Sequence, residues 1–216
     1  MKRVLLVVAA CVLLSVGAFA DSVCSNLTFN MGSSTSCNFQ GLDFSNFMAF
    51  NNSGQSVNLP VLITAGLVNG NIVLDLDPLQ TNGNPLDIQW FFTVTGMNGT
   101  LINGVDLGVL SIANGSVIET VCSIPTGPLS PCPGGNVLAN MLVGVGVNGL
   151  PTTASSTFDP TGAIYINKNI AVTPSGSDSG FTQSFHVTAV PEPSSLALLG
   201  TGLVGIGSLL RRRLLG

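Results

Sequence analysis

Charge is what this sequence has least of: 7% of its 216 residues are charged, six of them basic and ten acidic. Five of the six bases, Lys2, Arg3, Arg211, Arg212 and Arg213, sit at the two ends beside the longest apolar runs. Between residues 21 and 190 one base, Lys168, stands against nine acids, Asp21, Asp43, Asp75, Asp77, Asp87, Asp106, Glu119, Asp159 and Asp178, for a formal charge of −8. A nucleic-acid binder needs clustered Lys and Arg to displace counterions from phosphate, so that class is excluded. Histidine is nearly missing as well. With His186 as the sole imidazole and no Cys-x-x-Cys, a zinc centre has no ligand set, and neither a metal nor a cofactor is expected. One Trp and one Tyr, Trp90 and Tyr165, limit the aromatic surface available for stacking. What is abundant is apolar residue, 45% of the chain, with a mean hydropathy of +0.55. It is spread along the whole middle, so that region is a folded domain rather than a disordered one.

The two ends read as routing signals. Lys2 and Arg3 precede the apolar run Val4–Val16, followed by Gly17-Ala18-Phe19-Ala20, whose small residues Ala18 and Ala20 suit a signal peptidase cutting after Ala20. Val8-Ala9-Ala10-Cys11 offers a rival lipoprotein box, but the apolar run continues past Cys11, which favours ordinary secretion. At the other end, Val190-Pro191-Glu192-Pro193-Ser194-Ser195 leads into the uncharged stretch Leu196–Leu210 and then Arg211-Arg212-Arg213. Two prolines fix φ and remove two backbone donors, which holds Pro191–Pro193 extended and accessible to processing. Fifteen helical residues reach about 22 Å against a hydrocarbon core of about 30 Å, a thin transmembrane helix with arginines snorkelling at its end. The arginines belong in the cytoplasm, which places the preceding domain outside, in agreement with the signal peptide.

The order Pro191-Glu192-Pro193, short Gly-rich apolar stretch, arginine cluster resembles the PEP-CTERM sorting signal of Gram-negative bacteria. The resemblance implies recognition by an exosortase, a membrane protease that cuts near the motif and passes the protein to the cell surface or extracellular matrix. Pro191, Glu192 and Pro193 would carry the recognition, and Arg211, Arg212 and Arg213 the topology. A weaker likeness lies in Cys37–Phe47, Ile166–Ile170 and Phe181–Phe185, which resemble a recurrent exported β domain of PEP-CTERM proteins. The expected organisation is a signal peptide over 1–20, an exported domain over 21–189 and the sorting signal over 190–216, with its transmembrane helix at 196–210.

In the middle, Asn-Gly pairs at 69, 82, 98, 103, 114 and 148 signal hairpin turns, since both residues tolerate positive φ. The runs between them, Val57–Leu67, Asn71–Leu76, Leu86–Val94, Val105–Ile112, Val117–Ser123, Val137–Val147, Ala163–Val172 and Phe181–Val190, are strand-like, and no capped 3.6-residue period occurs. The expected fold is all-β: an antiparallel β-sandwich, jelly-roll or Ig-like, flanked by the two terminal helices. Alternation puts Ile88, Trp90 and Phe92 on one face and Asp87, Gln89, Phe91 and Thr93 on the other. Likewise Phe181, Gln183, Phe185 and Val187 share one face, and His186 lies on the other with Thr182, Ser184 and Thr188, where it faces solvent. Phe44, Phe47 and Phe50, at three-residue spacing, cannot all line one strand face. Cys24, Cys37, Cys122 and Cys132 form an even set in an oxidising compartment, hence two disulfides with three possible connectivities. Proximity favours Cys24–Cys37 and Cys122–Cys132, each adding about 2–3 kcal/mol by constraining the unfolded chain.

Candidate chemistry is thin. Asp75 and Asp77 alternate on one strand, about 6.6–7 Å apart on one face, a spacing that two glycosidase carboxylates could use. Solvated surface acids explain them as well, and the loop spacing of calcium motifs is missing. A serine nucleophile would need His186 with Ser184 or Ser179, yet no Gly-x-Ser-x-Gly elbow occurs. Gly144-Val145-Gly146-Val147-Asn148-Gly149 matches the dinucleotide fingerprint by letter, but Pro151 stands where its helix should begin. Sequons at Asn26, Asn51, Asn98 and Asn114 read as turn chemistry. The expectation is a non-enzymatic surface protein, structural or adhesive in the exopolysaccharide layer. Its partners are the exosortase, the inner membrane before processing, and exopolysaccharide or other surface proteins. The first alternative is a glycan-binding module stacking sugars on Trp90 or Tyr165, and the second a secreted glycoside hydrolase using Asp75 and Asp77.

Overall fold

In a computed structural model, the structure describes residues 24, 27–30, 36–57, 60–78, 86–111, 115–125, 132–146, 149–172 and 180–189. The expected signal peptide with Ala18 and Ala20, the motif Pro191–Pro193, the expected span 196–210 and the arginines 211–213 lie outside these residues. Among the described residues no helix is long and apolar enough to cross a membrane.

Among the described residues twelve strands form two six-stranded sheets whose paired strands are antiparallel. The first sheet runs β1 (Leu27–Asn30), β4 (Pro60–Val68), β5 (Asn71–Pro78), β12 (Gly180–Ala189), β7 (Thr100–Ser111) and β10 (Thr153–Thr161). The second runs β2 (Cys37–Phe39), β3 (Leu42–Asn51), β6 (Leu86–Gly96), β11 (Ala163–Val172), β8 (Gly115–Cys122) and β9 (Val137–Val145). Eight strands fall on the apolar runs read from the sequence, and β11 keeps both expected boundaries. The four others, β1, β2, β3 and β10, escape the pattern: β10 reads Thr-Ala-Ser-Ser-Thr-Phe-Asp-Pro-Thr, a polar edge strand with only every second residue half-covered.

The Asn-Gly pairs act in three ways. Asn69 and Gly70, with φ of 52° and 84°, make the tight β4–β5 hairpin. Asn98 and Gly99 form a similar turn, yet it carries the chain from one sheet to the other, because β6 is already paired on both edges by β3 and β11. Asn103-Gly104 is no turn at all and lies inside β7. Gly104 is required there by contact: a Cβ at that position would lie 2.9 Å from His186 Nδ1.

Alternation fills the space between the sheets. Leu74, Leu76, Ile102, Leu107, Phe181 and Phe185 of the first sheet meet Leu42, Phe44, Trp90, Val94, Ile164 and Ile166 of the second, all buried. Phe44 packs on Phe185 at 5.4 Å between ring centres, and Trp90 on Phe181 at 5.3 Å. Each such side chain contributes roughly 1.5–3 kcal/mol by leaving water. Phe44 and Phe47 are both buried despite their odd spacing. A bulge between Ser45 and Met48, with Asn46 at φ 57°, adds one residue and returns Phe47 to the inner face, while Phe50 packs outside on Phe91.

Both disulfides follow the proximity pairing, Cys24–Cys37 and Cys122–Cys132. The first lies where the sheets are stitched together: the Cys24 amide donates to Asn38 in the second sheet, and the Cys24 carbonyl accepts from Ala65 in the first.

Candidate functional site

The outer face of the second sheet carries a groove of about 430 Å³, within the size range of small-ligand sites. Strands β3, β6 and β11 build it row by row. Ser45 pairs with Thr93 and Thr93 with Tyr165; one row on, Met48 pairs with Phe91 and Phe91 with Asn167. Phe91 is 3% exposed and forms the floor, held edge-on by Phe50 at 5.6 Å. Tyr165 is half-buried and forms one side. The β3 bulge swings Asn46 over the groove, where its side-chain amide donates to Thr93 Oγ1 at 3.2 Å. Thr95 and Pro125 complete the rim, Pro125 lying three residues after the disulfide-bonded Cys122. Among the described residues no ionisable acid or base lines the groove beyond the Tyr165 phenol. The arrangement combines aromatic faces that exclude water with hydroxyl and amide groups that donate and accept, which suits a neutral polyhydroxylated ligand.

Of the two aromatics expected to stack, the structure keeps Tyr165 and removes Trp90. Trp90 is 1% exposed and belongs to the core, because it shares the inward face of β6 with Ile88 and Phe92. Phe91, on the opposite face of the same strand, takes part in the groove instead. The alternation seen in the sequence places it there, but an isolated Phe gives no sign that neighbours on β3 and β11 will leave a hollow above it.

The other candidate residues lie on the outer face of the first sheet. His186 is half-buried over Gly104, and its Nε2 meets Asp106 Oδ2 at 2.8 Å. Ser155 of β10 donates to the other oxygen of Asp106 at 2.5 Å. Aspartate therefore sits between the serine and the histidine, whereas nucleophilic catalysis needs the imidazole next to the hydroxyl. Ser184 is the cross-strand partner of Asp106, and Ser179 lies outside the described residues. Asp75 faces the same side from β5, opposite Thr182; the side chain of Asp77 lies outside the description. The groove, on the far side of the sandwich, contains neither carboxylate. Among the described residues no group of three His, Cys, Asp or Glu side chains could hold a metal ion. Asn51 behaves as a turn residue, its side-chain oxygen accepting from the amides of Ser53 and Gln55 at 3.0 and 2.9 Å. Gly144 lies inside strand β9, and strand β10 follows where the dinucleotide fingerprint would need a helix.

A third cluster escaped the sequence reading. Lys168 of β11, Glu119 of β8 and Gln183 of β12 are all fully buried between the sheets. Lys168 Nζ donates to Glu119 Oε2 and, at 2.5 Å, to Gln183 Oε1, while Gln183 Nε2 donates to Glu119 Oε1 at 3.0 Å. Burial pushes the Glu119 carboxyl above the usual carboxylate range and the Lys168 ammonium below the usual lysine range, each partner opposing the shift of the other. The signal was present: Lys168 and Gln183 both fall on the inward face of their strands by simple alternation.

Solved structures similar to this chain include two carbohydrate-binding-module structures, by their own descriptions. One is TmCBM61 in complex with β-1,4-galactotriose, 11% identical, with a TM-score of 0.33 over 67% of this chain and 88% of that one. The other is described by the words "CBM4 structure and function", 11% identical, with a TM-score of 0.26 over 68% of this chain and 86% of that one. No curated protein matches the chain. Residues 189–213 match the family PEP-CTERM protein-sorting motif, so the chain carries the C-terminal signal of an exported protein processed at the membrane by an exosortase.

Proposed function

We propose that this is a non-catalytic adhesive protein of the cell surface or extracellular matrix, which holds neutral polysaccharide in the groove on the outer face of its second sheet. The observation that carries the reading is the groove itself: Phe91 below, Tyr165 at the side, hydroxyl and amide groups of Ser45, Asn46, Thr93 and Thr95 around it, and no carboxylate or ammonium. Sugar C–H faces stack on aromatic rings while their hydroxyls exchange hydrogen bonds with such a rim. The acidic middle of the chain, −8 over residues 21–190, disfavours an acidic polysaccharide as the ligand.

Affinity electrophoresis of the exported protein in gels containing neutral polysaccharides, together with a glycan array, tests the binding claim. Tyr165→Ala should weaken retention about tenfold, the equivalent of roughly 1.4 kcal/mol, with no change in the melting temperature large enough to explain it. Retention unaffected by Tyr165→Ala overturns the groove assignment. The destination is tested separately, by replacing Pro191, Glu192 and Pro193 with alanine and fractionating the cells. The variant should stay in the inner membrane, and unchanged surface display defeats the sorting claim.

A further inference from the structure

We propose that Lys168 and Gln183 become joined by an amide bond between Nζ and Cδ, with Glu119 carrying the protons and ammonia as the leaving group. The bond would link strand β11 of the second sheet to strand β12 of the first, a covalent staple through the core of the sandwich.

The three side chains hold the reactants in place. The amine, the carboxamide and the carboxyl are each 0% exposed. Glu119 is hydrogen-bonded to both reacting nitrogens, Lys168 Nζ through Oε2 and Gln183 Nε2 through Oε1. Lys168 Nζ also lies 2.5 Å from Gln183 Oε1, so its nitrogen is beside the carbonyl group it would attack. Phe181 covers the amine, with Nζ 4.8 Å from its ring centre, and Trp90 packs edge-on against that same ring. This apolar jacket excludes water that would otherwise solvate the ammonium or compete as a nucleophile.

A lysine attacks only as the free amine, and desolvation favours that form. Burial lowers the Lys168 pKa and raises that of Glu119, and both shifts ease the transfer of a proton from the ammonium to the carboxylate that frees the amine. The Nζ lone pair then forms a bond to Cδ of Gln183 and the carbonyl π electrons move to Oε1. Glu119 takes a proton from Nζ through one oxygen and gives one to Nε2 through the other. Collapse of the tetrahedral centre breaks Cδ–Nε2 and releases ammonia, and Glu119 is left as the neutral carboxyl it was when the amine attacked. No oxidant, metal or cofactor is needed, and the reactants are already adjacent; fixed geometry of this kind corresponds to effective molarities of about 10⁵–10⁸ M. For a protein displayed outside the cell the staple would keep the two sheets together under load, at a place where neither disulfide reaches.

Peptide mapping of the exported protein tests the bond. Intact mass alone is insufficient, because succinimide formation at Asn-Gly pairs also removes ammonia. After unfolding and chymotryptic digestion, cleavage beside Phe181 and Phe185 frees the short segment containing Gln183. The expected product is a branched peptide joining that segment to the one bearing Lys168, lighter than the sum of the two by one ammonia. Recovery of both segments only as linear peptides, with Lys168 and Gln183 unmodified, overturns the proposal. Glu119→Gln, where it still melts cooperatively, should yield the linear peptides, and a full yield of branched peptide from it removes Glu119 from the chemistry. Gln183→Leu, which takes away the acceptor but leaves the lysine and the carboxylate, should likewise give no branch.

Discussion

Two polar clusters sit on opposite faces of the first sheet, three residues apart on β12, and they are built from similar parts. Inside, Gln183 joins a base and an acid, Lys168 and Glu119, in a space without water. Outside, His186 meets Asp106 and Ser155, with the His186 and Asp106 side chains 27% and 32% exposed. The chemistry of the groups differs less than their surroundings. Outside, water solvates each group whether or not its partner is present, so the contact costs little to make and little to lose. Inside, each charge depends wholly on the other two residues, and removal of one leaves a group that nothing else can satisfy.

The sharpest way to break this contrast is to remove one inner partner. Lys168→Met should lower stability by about 3–5 kcal/mol, read by urea denaturation, because it leaves the Glu119 carboxylate buried and unpaired. Lys168→Met combined with Glu119→Leu and Gln183→Leu should regain most of that loss, since three apolar side chains fill the space and leave no buried polar group without a partner. A combined variant less stable than the single one would show that the ion pair itself stabilises the fold. A smaller effect concerns pH. In Lys168→Met the larger influence that holds the Glu119 pKa down is gone, and burial raises it against the Gln183 hydrogen bond alone. A carboxyl whose folded-state pKa exceeds its unfolded value contributes stability below the unfolded pKa and loses it as pH rises through the folded one. Lys168→Met should therefore melt higher near about pH 5 than near about pH 7.5, by more than the parent chain does. Equal differences in both proteins would mean that Glu119 is not buried as described.

The same contrast explains what the sequence made legible. Strands with strong apolar alternation, such as Ala163–Val172, could be read directly, and so could the inward face of β12 that carries Gln183. Nearness in sequence also sufficed for Cys24–Cys37 and Cys122–Cys132, because each closes a short loop. What could not be read was anything created by two strands far apart in the chain. Lys168 and Glu119 are 49 residues apart and Glu119 and Gln183 are 64 apart, so no local pattern pairs them. The groove is of the same kind. Its floor, Phe91, looks like an ordinary core residue until the β3 bulge places Asn46 and Met48 beside it. Phe44 and Phe47 show the limit of period-two reasoning, since the single residue added at that bulge turns both inward. Trp90 is the opposite lesson: alternation put it with the apolar set, and that placement, rather than the scarcity of Trp, decides against a stacking role.

The smallest expected effect belongs to the outer cluster. His186→Ala should change stability by less than about 1 kcal/mol at neutral pH, because Asp106 keeps the Ser155 hydroxyl and gains water where the imidazole stood. The space left over Gly104 makes a second, dependent variant informative. In the parent chain a Cβ at position 104 would lie 2.9 Å from His186 Nδ1 and 3.1 Å from the Ser156 carbonyl. Gly104→Ala alone should therefore destabilise more than His186→Ala, and adding His186→Ala to it should recover part of the loss by removing the nearer obstacle. Additive losses would instead place the obstruction at the Ser156 backbone of β10. The tightness of the outer face would then come from the approach of the two strands, and not from its one histidine.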